Sequence, residues 1–316
     1  MSDRKIIAVI GATGAQGGGL VRAICADTEG GFAARAITRN PDSANAKALA
    51  ELRAEVVEAD LDDGASLEAA FSGAYAAFCM TDFWEHFSPE KEIAQATALA
   101  NAAKTTGVQH VIWSTLEDTR RWVLLDDDRM PTLMGKYKVP HFDAKGESDA
   151  AFVEAGVPTT YLLTSFFWDN LIHFGMGPKP GTDGILRFKL PMGNKKLPGI
   201  AAIDIGQCAY GIFQGGNDWI GKRVGIAGDH LTGGEMASSL GDVLGKLVVY
   251  EAITPEAYRG FGFPGSEDLG NMFQFMHEFN DDFCSVRDVA TSRTLNRSLQ
   301  DFRSWLSVNV ADIPTE

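Results

Sequence analysis

The chain opens on a run of apolar, mostly β-branched positions, Ile6-Ile7-Ala8-Val9-Ile10. It then breaks into glycines at Gly11, Gly14 and Gly17 and continues as an apolar, helix-compatible segment. A short apolar run bounded by turn residues predicts a buried strand, and the longer segment after it a helix. The alternation repeats. Ala33 to Thr38 reads as a strand, Ser43 to Leu52 as a helix, and Glu55 to Glu58 as a third strand ending at Asp60-Leu61. Ala65 to Phe71 reads as a helix, Ala74 to Met80 as a fourth strand, Glu90 to Lys104 as a helix and Val108 to Trp113 as a fifth strand. This rhythm predicts an α/β protein of Rossmann type, a doubly wound parallel sheet with right-handed crossovers. Ligands of such sheets sit at the carboxyl ends of the strands. Those ends are Gly11, Thr38-Arg39, Asp60-Leu61, Thr81-Asp82-Phe83-Trp84 and Ser114-Thr115.

From Leu116 to Pro140 no period holds, so a long loop is expected to edge the cleft from the end of strand five. His141 to Ala155 returns to a helix, Thr159 to Leu163 is a sixth strand, and Phe166 to Phe174 is rich in aromatics. Beyond residue 175 the βα order is lost. Gly184 to Leu190 and Val248 to Ala252 look extended, while Asp204 to Phe213 and Thr232 to Leu244 look helical. The expected division is a dinucleotide-binding domain over residues 1–165 and a smaller α+β lobe over 166–316, with some interleaving.

Composition narrows the function. The 316 residues carry a formal charge of −14 and show no Lys/Arg cluster, which argues against nucleic acid. Cys25, Cys79, Cys208 and Cys284 are widely spaced and read as buried thiols in a reducing compartment. Asp3, Arg4 and Lys5 lead straight into the first strand, and no long apolar run follows. A cytoplasmic protein that does not enter membranes is therefore expected.

The glycine spacing carries the chemistry. Gly11 allows the turn, Gly14 lets backbone approach a pyrophosphate, and Gly17 lets the helix pack close to its strand. The helix N-terminus then meets the negative charge. Thr13 lies within this turn, and Gln16 is placed to offer its amide to the phosphates. Strand two ends in Thr38-Arg39-Asn40, where an NAD-selective fold would place an acid. Arg39 suits a 2′-phosphate, so NADP(H) is the expected cofactor. Asp42 reads as a first-turn carboxylate of the next helix.

Short-chain reductases carry Tyr-x-x-x-Lys on the helix after strand five. Here that place reads His141-Phe142-Asp143-Ala144-Lys145, with the Lys present and a His as the proton donor. Lys145 is the candidate anchor of the nicotinamide ribose, and Ser114 can bond a substrate carbonyl. Phe83 and Trp84 are candidates for a pocket wall. Phe166, Phe167 and Trp168 read as core aromatics, one of which can floor the nicotinamide pocket. No metal set emerges: the histidines are scattered, and the consecutive Asp126-Asp127-Asp128 read as a solvated loop.

These motifs resemble the NmrA-like family of atypical short-chain dehydrogenases. The carrying stretches are Gly11–Gly18, Thr38-Arg39-Asn40-Pro41, His141–Glu147 and Gly262-Phe-Pro-Gly-Ser-Glu-Asp-Leu-Gly-Asn-Met-Phe273. Within the family the chain looks most similar to the HSCARG-type redox sensors, which bind NADP(H) and lack the reductase Tyr. The resemblance implies that Gly11, Thr13, Gly14, Gln16, Gly17 and Arg39 grip the dinucleotide, with Asp60-Leu61 beside the adenine. It also implies Lys145 at the nicotinamide ribose; Thr81, at the end of strand four, and Phe166 are further cofactor-binding candidates from their places in the chain. Sensors of this type respond to the NADPH/NADP⁺ ratio through loop rearrangement and homodimerisation, and bind partner proteins. Quinone, triphenylmethane-dye and isoflavone reductases are other branches. The chain departs from the sensor type at Asp82, where that type carries Asn, and in a longer, more charged segment from Glu117 to Lys138.

Two functions follow as expectations. One is an NADP(H)-binding sensor. The other is an NADPH-dependent reductase of a small carbonyl, quinone or imine, using Ser114, His141 and Lys145.

Overall fold

A computed structural model describes residues 4–315; Asp3 of the opening charged run lies outside them. The first half of the chain builds β1 (Lys5–Val9), β2 (Phe32–Thr38), β3 (Glu55–Glu58), β4 (Ala76–Cys79), β5 (His110–Thr115) and β6 (Thr159–Leu163). Between them lie α1 (Ala15–Ala26), α2 (Ala44–Glu51), α3 (Gly64–Phe71), the single turn α4 (Phe83–His86), α5 (Pro89–Thr106) and α6 (Pro140–Ala155). Later strands are β7 (Phe166–Phe167), β8 (Lys179–Pro180), β9 (Leu186–Leu190), β10 (Lys196–Ile200), β11 (Arg223–Gly225), β12 (Asp229–Thr232) and β13 (Val248–Ala252). The remaining helices are α7 (Asn170–His173), α8 (Ala202–Gly215), α9 (Gly233–Leu244), α10 (Pro255–Arg259), α11 (Ser266–Glu278), α12 (Asn280–Val286), α13 (Val289–Leu295) and α14 (Phe302–Asn309).

Among the described residues the main sheet has seven strands in the order β11-β6-β5-β4-β1-β2-β3, every pair parallel. The order reverses between β1 and β4, which opens the ligand crevice there. Both faces are covered, and the stretch from Ile7 to Ile10, β1 and the residue after it, shows why its sequence is apolar. Ile7 and Val9 enter the core on the α1 and α8 side, while Ala8 and Ile10 enter the core under α3, α5 and α6. Local signals set the helix starts: Ser43 caps α2, Asp63 caps α3, and Ser88 with Pro89 opens α5. Asp42 lies just ahead of the Ser43 cap and outside the helix, rather than in its first turn.

The second half does not stay apart. β11 adds the last strand to the main sheet beside β6, and α8 packs on α1. Gly206 makes that close approach, since a Cβ there would stand 2.1 Å from the Leu20 nitrogen. Two three-stranded sheets, β12-β10-β7 and β13-β9-β8, and the last helices enclose a third core around Phe188, Phe273, Phe302 and Trp305.

The aperiodic stretch after β5 is irregular but fastened. Its only regular pieces are a 3₁₀ turn at Thr119–Arg121 and a bridge between Leu133 and Tyr137. Buried Asp143 on α6 accepts from Thr119 N (2.7 Å), Thr119 Oγ1 (2.6 Å), Lys138 N (2.8 Å) and Val139 N (3.0 Å). One carboxylate thus staples both ends of the loop. Val123, Met130, Tyr137 and Val139 are buried beneath it, and the intervening Asp126 and Asp128 face solvent. No helix among the described residues is long and apolar enough to cross a membrane.

Candidate functional site

The glycine loop leaves β1 with Gly11 at φ 65°, a left-handed conformation that glycine adopts without strain. Gly14 caps α1, no side chain caps that helix, and no acid lies in its first turn. The first-turn N–H groups therefore face the crevice uncompensated, the arrangement an anion stabilises. A Cβ at Gly17 would stand 2.5 Å from the Gly11 carbonyl oxygen, so only glycine fits where helix and loop cross. Asn45 of α2 donates to the Thr13 carbonyl at 3.2 Å and holds the loop from the side. Ser114 donates to the Gln16 side-chain carbonyl at 3.0 Å, which leaves the Gln16 amide NH₂ to the crevice. This is a cradle fit for a pyrophosphate.

One strand over, Arg39 lines a cleft of about 280 Å³ with Glu58, Ala59, Asp60, Asp63 and Ser66. Asp60 folds into an Asx turn with Asp62 N at 3.0 Å, and Leu61 is half-buried beside it. The Arg39 guanidinium is not free. It donates to Glu85 of α4, and this hydrogen bond raises its pKa above the usual value.

At the end of β4, Lys145 Nζ donates to the Thr81 carbonyl (2.9 Å) and to Thr81 Oγ1 (2.9 Å), and pairs with Glu92 Oε1 (2.7 Å). Thr81 Oγ1 donates to the same Glu92 oxygen at 2.6 Å. Glu92 is fully buried; its second oxygen lies 3.4 Å from His86 Nε2, and neither of those atoms has a well-formed hydrogen bond. Lys145 is thus fixed at the strand end by a buried carboxylate. A ribose hydroxyl would have to share or displace one of its bonds.

His141, one turn earlier on α6, is held by Asp268 of α11: ring Nδ1 lies 2.6 Å from Oδ1, and the backbone N–H donates to Oδ2 at 3.1 Å. Trp84 (4.8 Å between ring centres), Phe83 (6.0 Å) and Phe142 (4.8 Å) close around the imidazole. Asp82 caps α4 by accepting from Trp84 N at 3.1 Å, so its acid serves the turn that carries this aromatic wall. Tyr137 is buried under Arg120 and Lys136, and its hydroxyl has no hydrogen-bond partner among the described residues. Phe166 is buried in the C-terminal core, with its ring 6.2 Å from Phe273.

Three groups escape the motif reading. Glu85 and Asp268 become partners of Arg39 and His141 only through the fold. Glu92 left a trace, because it shares a helix face with buried Gln95, Ala96, Leu99 and Ala103, and a lone acid on an apolar stripe needs a partner. Asp268 sat inside the 262–273 motif without a role. In the same motif Asn271 donates to the carbonyls of Pro131 (2.9 Å) and Lys138 (2.5 Å), so the motif clamps the 116–140 loop as well as His141.

The profile of the NmrA-like family matches residues 3–305. The chain belongs to the NmrA-like family. Among curated relatives it is 31% identical to the NmrA-like family domain-containing oxidoreductase FrzB of Cladobotryum sp over 287 residues, covering 85% of this chain and 83% of the relative. It is 27% identical over 300 residues to lnbB of Aspergillus flavus, an oxidoreductase of the same description (87% and 84% covered). Its fold is that of NmrA, a negative transcriptional regulator solved in complex with NADP (TM-score 0.77, 22% identity, 96% and 95% covered). It is also that of the Citrobacter sp. triphenylmethane reductase complexed with NADP(H) (TM-score 0.74, 19% identity, 97% and 99% covered). A transcriptional regulator and a dye reductase thus share this chain's fold.

Proposed function

We propose that this NmrA-like chain binds NADP(H) and works as a redox-state sensor of the HSCARG type, its output being conformation rather than turnover. Gly11, Thr13, Gly14, Gln16 and Gly17 hold the pyrophosphate, Arg39, Asp60 and Leu61 take the adenosine end, and Thr81, Lys145 and Phe166 take the nicotinamide end. The uncapped α1 N-terminus and the Gly17 crossing support the first assignment. The complexes of NmrA and of the triphenylmethane reductase with NADP(H) support the cofactor.

The observation that carries the sensor reading is the state of His141. It stands where the reductase Tyr would be, is 6% exposed, and is sealed by Trp84, Phe83 and Phe142. A proton donor closed off by packed rings cannot meet a substrate unless α4 moves. A ligand that prefers one arrangement of that turn shifts its population by its differential affinity, about 1.4 kcal/mol per tenfold.

The second reading is a reductase, favoured by the His141–Asp268 pair. When bound, NADPH supplies a hydride. Asp268 holds Nδ1 of His141, so Nε2 is the atom that hands a proton to the substrate, and Ser114 supports the developing charge. Binding titrations and a turnover screen with quinones, aldehydes and imines separate the two. The sensor binds NADPH without consuming it. Steady NADPH oxidation abolished by His141→Ala or Lys145→Ala overturns the sensor reading.

A further inference from the structure

Arg39 follows β2 and Glu85 lies on the turn after β4, and β1 runs between those two strands. Neighbouring strands lie about 4.8 Å apart, so the Arg39–Glu85 pair spans two strand spacings over the carboxyl end of β1. That is where the glycine loop begins. The pair is a strap across the crevice rather than a surface pair on one element. Both side chains are at least half exposed, so the bond can exchange without unfolding anything.

The charges around Arg39 are one-sided. Glu85, Asp60 and Asp62 all act on its guanidinium, and Glu58 and Asp63 line the same cleft. Asp62 is itself answered by Lys91 at 2.7 Å and Gln95 at 2.9 Å. Glu85 has Arg39 as its ion-pair partner among the described residues. A doubly charged 2′-phosphate must therefore displace the Glu85 carboxylate and then sit close to it. A dinucleotide that ends there in a hydroxyl meets neither demand, and it leaves Arg39 with Glu85.

We propose that Glu85 is the specificity residue of the adenosine end, a carboxylate that competes with the 2′-phosphate for Arg39. Its release by that phosphate frees α4 and the Trp84 beside it. The proposal rests on the NADP(H) reading above and deepens it, since it names the contact by which the 2′-phosphate reaches the aromatic wall around His141. Glu85 neither blocks nor assists the pyrophosphate. Its substitution acts on one kind of dinucleotide only.

The test is a titration of the full chain with NADPH and with NADH, for wild type, Glu85→Gln and Arg39→Gln. It is followed by binding and by the part of the tryptophan emission that Trp84→Phe removes. Glu85→Gln is expected to tighten NADPH about tenfold and leave NADH within about twofold. It also gives the free protein the Trp84 emission that wild type shows only with NADPH. Arg39→Gln weakens NADPH selectively and abolishes the gain from Glu85→Gln in the double variant. An unchanged NADPH/NADH affinity ratio in Glu85→Gln overturns the proposal, as does an equal Trp84 response to both dinucleotides in wild type. If wild type takes up neither dinucleotide, the cofactor reading itself fails, which is a separate result.

Discussion

Asp268 accepts two hydrogen bonds from one residue, His141, from its ring Nδ1 at 2.6 Å and its backbone N–H at 3.1 Å, across 127 positions of sequence. Both residues are buried, so neither bond can be replaced by water at little cost. The pair fixes the imidazole's rotation and ties the start of α6 to α11. Asp268→Ala leaves a buried backbone donor and a ring nitrogen without an acceptor, at about 2 kcal/mol or more. A melting temperature lowered by about 3 °C or more is expected, with Asp268→Asn intermediate because its carbonyl still accepts. Thermal unfolding of the three proteins checks this, and an unshifted Asp268→Ala midpoint contradicts it.

Asp143 makes the corresponding test of the loop. Its four hydrogen bonds hold Thr119 at one end and Lys138 and Val139 at the other. Asp143→Ala strands three backbone N–H groups in a buried place, which costs about 3 kcal/mol. The stretch carrying Arg121 and Arg129, both exposed, should then be cut faster by trypsin than in wild type. A cleavage rate equal to that of wild type at these two sites would show that the loop is held by its buried apolar side chains alone.

His110 gives the fold a pH dependence of defined sign. Its ring is buried, bonds Thr160 Oγ1 at 2.8 Å, packs edge-on to Phe213, and burial pushes its pKa down to about 4. Between pH 6.5 and 4 the unfolded chain takes up a proton that the folded chain refuses, so this contribution is present above pH 6.5 and lost as the pH falls. The loss approaches about 3 kcal/mol by pH 4. Asp143 and Asp149, whose carboxyls burial pushes up, act in the opposite direction over part of that range. Urea unfolding of wild type and His110→Gln across pH 4–7.5 isolates the histidine, because the two carboxyls are common to both. The wild-type curve should fall more steeply; parallel curves would rule out a buried neutral imidazole.

The strands and helices of the nucleotide-binding half were legible because each obeys a local rule. β1 is apolar from Ile6 onward, α2 and α3 start after Ser43 and Asp63, and Gly11 and Gly17 sit where backbone must turn or cross. The ends of β4 and β5 differ from the apolar runs by one or two residues, because both continue into buried loops without a change of polarity. In sequence the 116–140 stretch shows no period and predicts only a long loop beside the cleft. Its order comes from side chains bonding distant backbone, as Asn271 does to Lys138 and Pro131, and no period records that. The lost βα rhythm after residue 175 conceals β11, a three-residue strand whose membership in the main sheet depends on its pairing with β6.

The sequence by itself determined the parallel sheet, the glycine cradle and the place of Arg39, His141 and Lys145, because those follow from spacing within a few residues. Only the tertiary structure decided whom those residues face. Glu85, Asp268 and Glu92 approach their partners through strand order and helix packing, and a carboxylate's partner in space leaves no mark at any fixed distance along the chain. The sequence thus placed the charges, and packing chose their pairs, since a buried or crowded charge is tolerated only where the fold brings it an opposite charge or a donor.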